Sequence, residues 1–204
     1  MHHLCQVAPE YFQLLIDEGA DLIICAGTQF LGSAMPFVEA NPDVYFHFTT
    51  SWPSHAPRPP NVAVSALAVF EASYLAGVVA GATSGNLCLL MPRPHPAAVA
   101  YANAFYVGAR ESNASSTLLV SYLDDQSPEY IPEWNDRLAA ISLLDMGCDV
   151  IYTFNDRSPV EVFSAAGKYT VNYQQDYRSE FGESALTSVW AGSSRRLRCL
   201  CKGC

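Results

Sequence analysis

Residues 86–122 contain a strand, a helix and a second strand in succession, and they decide the fold class. They read NLCLLM, then PRPHPAAVAYANAFYVGARES, then NASSTLLVSY. Asn86–Met91 and Thr117–Tyr122 are short apolar runs, which are typical of strands buried on both faces. The intervening His95–Ser112 is long enough to form a helix and begins in a proline-rich turn. This order predicts a right-handed βαβ unit with parallel strands.

The same alternation of elements extends on both sides of this unit. Upstream, strands are predicted at Asp21–Ala26, Val44–Thr49 and Asn61–Ala66, and helices at Tyr11–Gly19, Gln29–Ala40 and Val69–Ala82. Downstream, helices are predicted at Pro132–Gly147 and Val160–Ala166, and strands at Asp149–Phe154, Lys168–Tyr173 and Leu186–Trp190. Four prolines in Ser51–Pro60 predict a loop. The chain is therefore expected to be an α/β protein with mostly parallel sheets flanked by helices.

Composition narrows the class of protein further. Of the 204 residues, 50% are hydrophobic and only 15% are charged, a balance that excludes a wholly disordered chain. Eleven basic residues face twenty acidic ones, which gives a formal net charge of −9. Nucleic-acid binding through phosphate neutralisation needs a basic surface. We therefore expect no nucleic-acid partner.

One apolar stretch, Val62–Gly81, approaches the length that a membrane-spanning helix needs. Its first part lies within the predicted strand Asn61–Ala66, and Glu71 would lie near the bilayer centre at a cost of about 2.5–3.5 kcal/mol. A strand followed by a buried helix therefore explains the stretch better than a membrane span. Residues 1–5 lead into the first helix without the pattern of a signal peptide.

The seven cysteines do not have the spacing of a disulfide-rich domain. Four of them lie singly along the chain in apolar surroundings, which predicts buried thiols. The other three lie in the last ten residues, and the basic stretch 195–204 is predicted to be a tail outside the fold. Cys201 and Cys204 have the spacing of half a zinc site, but no second pair accompanies them. We therefore expect neither a metal ion nor another cofactor.

Ligands of parallel sheets bind at the carboxyl ends of the strands, so the residues after each predicted strand are the candidates for a site. No dinucleotide-binding glycine pattern, phosphate-binding loop or nucleophile elbow occurs at these places. His47, His55 and His95 lie in a strand, a loop and a helix start, where structural or solvated roles are commoner than catalytic ones. The residues thus favour binding over catalysis, and we expect no enzymatic activity.

Three of the strand-end residues each allow two interpretations. Phe30 is either a stacking platform for a planar ligand or a core residue. Asp156 is either a cap for the following helix or a ligand acceptor. Asp176 is either a turn residue or a ligand acceptor.

Five blocks in this order resemble the basic membrane protein family, the PnrA-like, purine-nucleoside-type substrate-binding proteins of ABC transporters. The blocks are DLII with Phe30 and the following NPDVYF, NVAVS with the following EASYLAGVVAG, ANAFYVGAR (102–110), GCDVIY (147–152) and LTSV (186–189). Together they cover about residues 10–190.

This resemblance implies the type I periplasmic-binding fold, in which two α/β lobes close over a ligand. In the family, aromatic rings enclose a purine base and carboxylates hold the ribose hydroxyls. The positions that match the family's ligand-binding residues are Phe30, Thr50, Tyr152, Asp156, Gln174 and Asp176. Phe30 is implied to stack on the base, and Tyr152 has the aromatic place at the end of its strand. Thr50 and Gln174 stand where the family has acids, so a free nucleobase or another small ligand needs fewer of the acceptors that are missing here.

The resemblance also implies how the chain is divided. Residues 1–84 are expected to form a partial N-terminal lobe, residues 85–185 a C-terminal lobe, and residues 186–194 a return strand or hinge. The family's first strand is expected to precede residue 1, as part of a longer precursor.

The function implied is that of an extracytoplasmic binding protein that holds a purine nucleoside or nucleobase and delivers it to an ABC transporter permease. Two alternatives remain at this point. One is the ligand-sensing outer domain of a receptor, and the other is a degenerate fragment without a ligand. An α/β enzyme is the less favoured reading, since a fold does not settle a function.

Overall fold

The computed structural model describes residues 2–27, 30–50, 59–123, 132–155 and 157–190. The chain divides into two compact units, and the boundary falls between Leu67 and Ala68. Each unit is built around its own parallel sheet. In the part of the chain that the structure describes, no helix has both the length and the apolar character needed to cross a membrane.

The first unit has two helices and three strands. In chain order these are α1 (His2–Asp17), β1 (Leu22–Ala26), α2 (Phe30–Ala40), β2 (Tyr45–Thr50) and β3 (Val62–Ala66). The strands are parallel and lie in the order β1-β2-β3. One face of this sheet packs against α1 and α2 through a core of Phe12, Ile23, Cys25, Ala34, Val38, Phe46 and Phe48.

The opposite face of this sheet is exposed along β1. Leu22 and Ile24 are more than half exposed, whereas Ile23 and Cys25 between them are buried. The apolar run of β1 predicts burial on both faces, and this expectation is wrong for the described residues. Further along the same face His47 is buried, and its Nε2 lies 2.9 Å from the hydroxyl of Ser65, which confirms a structural role for this histidine.

A single buried amide ties the start of the strands to the helix before them. The Nδ2 of Asn61 donates to the carbonyl oxygens of Val38, Asn41 and Val44 at 3.0–3.1 Å. The carbonyls of Val38 and Val44 thereby gain a donor from one side chain, while the Asn41 carbonyl also accepts from the backbone NH of Val44 at 3.1 Å. The asparagine at the head of the NVAVS block therefore closes the turn between α2 and β2.

The second unit has the larger sheet. Its elements are α3 (Val69–Thr83), β4 (Asn86–Met91), α4 (Pro96–Ser112), β5 (Thr117–Tyr122), α5 (Pro132–Asp145), β6 (Val150–Thr153), α6 (Ser158–Ala165), β7 (Tyr169–Tyr173), α7 (Arg178–Phe181), a 3₁₀ turn (Gly182–Ser184) and β8 (Ala185–Val189). All five strands are parallel, in the order β5-β4-β6-β7-β8.

Helices cover both faces of this sheet at its centre. On one face Cys88, Leu90 and Ile151 pack in a core with residues of α5 and α6. Successive side chains of a strand point to opposite faces, and Tyr152 accordingly contacts Phe105 of α4 on the other side. β6 is buried at every position, and β4 at every position after Asn86. Two-sided burial explains why these strands are continuously apolar.

Glycine residues let α3 and α4 cross almost backbone to backbone. A Cβ atom added to Gly77 would lie 2.0 Å from the carbonyl oxygen of Phe105, and one on Gly108 would lie 2.0 Å from that of Tyr74. Ser112 donates to the carbonyl oxygen of Val78 at 2.8 Å across the same crossing. These distances exclude any side chain at the two positions, because a Cβ atom there would overlap backbone atoms of the other helix.

At the amino ends of the strands, Asp149 joins three elements. Its carboxylate accepts from Lys168 at 2.5 Å, from the Ser84 hydroxyl at 2.7 Å and from the Asn86 amide at 3.1 Å. These donors, Lys168 first, hold the pKa of Asp149 below its usual value. The carboxylate therefore links α3, β4 and β7 at their ends.

The expected order of helices and strands is confirmed, with α1 beginning earlier than predicted and α7 and the 3₁₀ turn not anticipated. Cys25, Cys88 and Cys148 are buried and free, as the sequence predicts. The tail 195–204 and most of the proline-rich loop lie outside the described residues. The predicted lobe boundary at residue 84 differs from the division after Leu67, because α3 packs closely on α4 of the second unit. Likewise β8, which overlaps the predicted hinge, is a strand of the second sheet.

Candidate functional site

The carboxyl ends of β4, β6 and β7 lie side by side in the second sheet. The register aligns Leu90 with Thr153 and Thr153 with Asn172. Residues that follow these strands therefore meet at one edge, where ligands of parallel sheets bind. We take this edge, together with the adjoining part of α4, as the candidate site of the second unit.

Five aromatic rings, which we call the aromatic cluster, occupy this edge: Tyr101, Phe105, Tyr152, Phe154 and Tyr173. Phe154 is at its centre. Its ring stacks on Tyr101 with centroids 5.5 Å apart and on Tyr173 with centroids 4.7 Å apart, and it lies 4.6 Å from Tyr152. α4 supplies two of the rings and the strands β6 and β7 with their ends supply the others.

The rings differ in their access to solvent. Tyr152, the predicted aromatic contact, is fully buried, and its hydroxyl lies 3.0 Å from that of Ser73 on α3. Burial raises the pKa of Tyr152, and it raises the pKa of Tyr173 to about 12. Phe154 and Tyr173 are only partly buried. The accessible aromatic surface of the cluster therefore belongs to Phe154 and Tyr173, with Tyr152 packed beneath them.

Two amide oxygens, one just after β6 and one within β7, are buried and have no hydrogen-bond partner among the described residues. They are the Oδ1 atoms of Asn155 and Asn172. Asn172 is aligned with Thr153, so its side chain lies on the face of the sheet opposite Tyr152 and Tyr173. The backbone NH of Asn155 donates to the Thr153 hydroxyl at 3.1 Å, and the Asn172 amide donates to the Thr170 hydroxyl at 3.5 Å. Buried acceptors without partners are uncommon in native proteins and call for a donor.

Gln174 lies next to the aromatic cluster. Its Nε2 donates to the hydroxyl of Tyr173 at 3.1 Å, and its backbone NH donates to the carbonyl of Val189 at 2.9 Å. Its backbone φ is +60°, in the left-handed region that side chains rarely adopt. The chain thus turns sharply at this residue, and the exposed amide stays at the rim of the site.

Asp176 is exposed and already has a cationic partner. Its Oδ1 accepts from the backbone NH of Arg178 at 3.0 Å and from the guanidinium of the same residue at 3.3 Å. These hydrogen bonds hold the pKa of Asp176 below its usual value. A ligand hydroxyl at this carboxylate would share it with Arg178.

The remaining predicted residues lie in the first unit or outside the described part of the chain. Phe30 is partly buried at the start of α2, packs against the core of the first unit, and lines a cavity of about 220 Å³ with Ile23, Cys25 and Ala26 of β1. Thr50 ends β2, and its side chain is outside the description. Asp156 is not among the described residues.

Among the described residues, no group of three acidic, histidine or cysteine side chains is arranged to hold a metal ion. His95 caps α4, since its Nδ1 accepts from the backbone NH of Ala98 at 3.2 Å. Cys201 and Cys204 lie outside the described part of the chain.

Sequence reasoning missed Tyr101 and Phe154 as members of the aromatic cluster. Phe154 is the last residue of a predicted strand, so the strand-end rule selects its neighbourhood but not the ring itself. Tyr101 lies within a helix, and nothing in the sequence places it beside β6.

Solved structures with a similar fold come from transport and regulatory proteins. One is a transcriptional activator of the comK gene from Bacillus halodurans, with a TM-score of 0.66 and 23% identity over 90% of this chain and 62% of that one. A second is an ABC transporter solute-binding protein from Conexibacter woesei, with a TM-score of 0.60 and 19% identity over 82% of this chain and 55% of that one.

A third similar structure is a LacI family transcriptional regulator from Enterococcus faecium with bound ribose, with a TM-score of 0.59 and 17% identity over 88% of this chain and 68% of that one. The chain thus spans between about half and two thirds of the length of these proteins. At these identities the likeness shows the fold alone, which is α/β and type I periplasmic-binding-like, as predicted.

No curated protein matches the chain. A family model does: the model described as ABC transporter substrate-binding protein PnrA-like matches residues 9–191, which is most of the sequence. The five blocks that suggest this family from the sequence all lie within the match. The chain therefore belongs to the PnrA-like family of ABC transporter substrate-binding proteins.

Proposed function

We propose that this protein binds a small planar ligand, a purine nucleoside or nucleobase, at the edge of the second sheet where the aromatic cluster lies. Membership of a substrate-binding family supports a small-molecule ligand. The observation that carries the proposal is the pair of accessible, stacked rings, Phe154 and Tyr173, at the strand ends, next to Asn155, whose buried Oδ1 has no partner among the described residues.

The chemistry of this edge suits a nucleobase. Aromatic side chains stack on the faces of bases, and each such contact contributes about 1–3 kcal/mol. The N–H groups on the edges of a purine are donors, and the Oδ1 atom of Asn155, which directly follows Phe154, is an acceptor in need of a donor. Stacking and hydrogen bonding together would fix both the plane and the orientation of the ring.

Recognition of ribose has weaker support. Of the positions that match the family's sugar-binding acids, Thr50 and Gln174 are not acids, and Asp176 is paired with Arg178. We therefore expect a nucleoside and its free base to bind with affinities within about tenfold of each other, a difference of about 1.4 kcal/mol or less.

The transport role follows from the family as part of the same proposal. The protein would act outside the cytoplasm and deliver its ligand to an ABC transporter permease. No nucleic acid and no cofactor enter this scheme, and the ligand is released without chemical change.

Isothermal titration calorimetry of the full chain with adenosine, inosine, guanosine and the corresponding bases tests the proposal. We expect micromolar binding of at least one purine, about −8 kcal/mol. Replacing Phe154 or Tyr173 with Ala should weaken binding by about 5- to 150-fold, the equivalent of one lost stacking contact. Trp134→Ala is the matched control, because Trp134 is a 60% exposed aromatic residue on α5.

Two outcomes decide against the proposal. One is the absence of heat with every purine in a sample whose circular dichroism and melting show it folded. The other is binding that Phe154→Ala and Trp134→Ala weaken equally. Phe30→Ala in the same titration tests the stacking role that the family resemblance implies for Phe30, and Asp156→Ala tests the role implied for Asp156.

A further inference from the structure

The outer face of the helix pair α3–α4 carries an unusual amount of exposed apolar surface. Leu75 on α3 is 64% exposed and Val107 on α4 is 57% exposed. Phe70, Val79 and Val99 are also exposed on these two helices. A solvated helix normally presents charged or polar residues on its outer face. A surface of this composition marks an interaction site when its residues are contiguous.

Three of these residues, Phe70, Leu75 and Val107, are contiguous, because they line one groove between the two helices. It has a volume of about 560 Å³ and is lined by Phe70, Tyr74, Leu75, Ala104 and Val107. The polar side chains in its lining are Glu71 and Asn103. The groove lies toward the N-terminal part of α3, ahead of the close approach at Gly77 and Gly81. An apolar groove on an exposed face needs an apolar ridge to fill it.

We propose that this face is the interface of a homodimer, in which a second copy of the chain supplies that ridge. Leu75 and Val79 are four residues apart on α3, so they form one ridge on the same side of the helix. Leu75 also lines one side of the groove, and Val79 lies one helical turn further along α3. In a two-fold arrangement the ridge of each copy packs into the groove of the other, so that one surface serves both partners.

The size of the face suits a weak dimer. Helices of 15 and 17 residues are roughly 22–25 Å long, and two side by side are about 20 Å wide. Two such faces bury on the order of 1,000 Å² in all, near the lower limit for a specific interface. We expect a dissociation constant of about 10–100 µM, in the range of transient association.

Sedimentation velocity of the full chain, at concentrations from about 1 to 300 µM, measures this association. The weight-average sedimentation coefficient should rise from the monomer value toward that of a dimer. Leu75→Glu and Val107→Glu should each raise the dissociation constant at least tenfold, because they place an unpaired carboxylate in an apolar contact. Both side chains are more than half exposed, so these variants should keep the melting temperature of the parent chain.

Trp134→Glu is the matched control, since Trp134 is equally exposed but lies on α5. It should leave the dissociation constant unchanged. A chain that stays monomeric up to the highest concentration would overturn the proposal. So would a dimer that Trp134→Glu weakens as much as Leu75→Glu, or association of the face with vesicles of zwitterionic lipid in place of a second copy.

Discussion

The three-stranded sheet of the first unit and the five-stranded sheet of the second are both parallel, but their strands are buried differently. In β1 the buried residues Ile23 and Cys25 alternate with the exposed Leu22 and Ile24. In β6 every residue is buried, and in β4 every residue after Asn86. The amino-acid runs are equally apolar. What differs is the number of faces that helices cover, which depends on residues far away in the sequence.

The two units also differ in how closely their helices pack. In the second unit Gly77 and Gly108 sit where α3 and α4 touch backbone to backbone, whereas Gly32 of α2 in the first unit has open space around its Cα. A glycine inside a helix costs stability unless a neighbour needs the room. The two units therefore predict opposite effects for the same kind of substitution.

The largest expected effect comes from filling the crossing of α3 and α4. Gly77→Ala should lower the free energy of unfolding of the second unit by about 3 kcal/mol or more, because backbone atoms of Phe105 must move away. Gly32→Ala is the matched control and should raise the stability of the first unit by about 0.5–1 kcal/mol. Hydrogen exchange measured by mass spectrometry separates the two units. Equal effects of the two substitutions would contradict the crossing geometry.

A second prediction concerns the strands themselves. Leu89 is fully buried in β4. Replacing it with Ala should lower the free energy of unfolding by about 2–5 kcal/mol, because a cavity remains in a core covered on both faces. Ile24 is 58% exposed in β1, and replacing it with Ala should lower the free energy of unfolding by less than about 1 kcal/mol. Urea unfolding of both variants measures the difference. A large loss for Ile24→Ala would mean that the exposed face of β1 is covered in solution.

The smallest effect concerns the polar side chains that tie the ends of the strands. In the second unit the pKa of Asp149 is lowered from its ordinary value of 3.8. Its contribution to the free energy of unfolding is therefore fully present above pH 3.8, and it is lost as the pH falls through the lower pKa of the folded state. Asp149→Asn should therefore lower stability by about 1 kcal/mol at pH 7. Its difference from the parent chain should disappear under acidic conditions in which Asp149 is protonated.

The corresponding residue of the first unit is the neutral Asn61, which serves as a control for this pH dependence. Asn61→Ala should lower the free energy of unfolding by about 1–2 kcal/mol, since the carbonyls of Val38 and Val44 lose the donor that Asn61 supplies. An amide does not titrate, so this loss should be the same at pH 4 and pH 7. Unfolding curves of both variants between about pH 2 and pH 7 make the comparison, because Asp149 is protonated only in the lowest part of this range. A pH-independent loss for Asp149→Asn would show that charge is not what Asp149 contributes.

Much of the fold could be predicted from the sequence, because it depends on local patterns. The alternation of apolar runs with longer amphipathic or apolar segments gives each helix and strand its place, and a helix that crosses over between two successive strands makes them parallel. α7 escaped prediction since it is only one turn long and has no apolar period. The family itself could be named from five ordered blocks, and the match to residues 9–191 confirms it.

The candidate site could be predicted only in its location. The strand-end rule selects the neighbourhoods of Phe154 and Tyr173, but the ring that matched the family, Tyr152, is buried beneath them. Asp176 could be selected from its position as a candidate acceptor for a ligand. Its pairing with Arg178, in contrast, depends on the course of the turn. Roles such as these are set by contacts, and position in a motif does not specify contacts.

The sequence by itself determined the order of the elements, the parallel sheets and the family, because hydrophobic period and short motifs are local properties of the chain. Only the tertiary structure decided which apolar strand is buried on one face and which on two. It also decided that Gly77 and Gly108 mark a helix crossing, and that Phe154 and Tyr173 are the accessible rings. The physical reason is that burial and close packing are made by residues distant in sequence, whose approach no local pattern encodes.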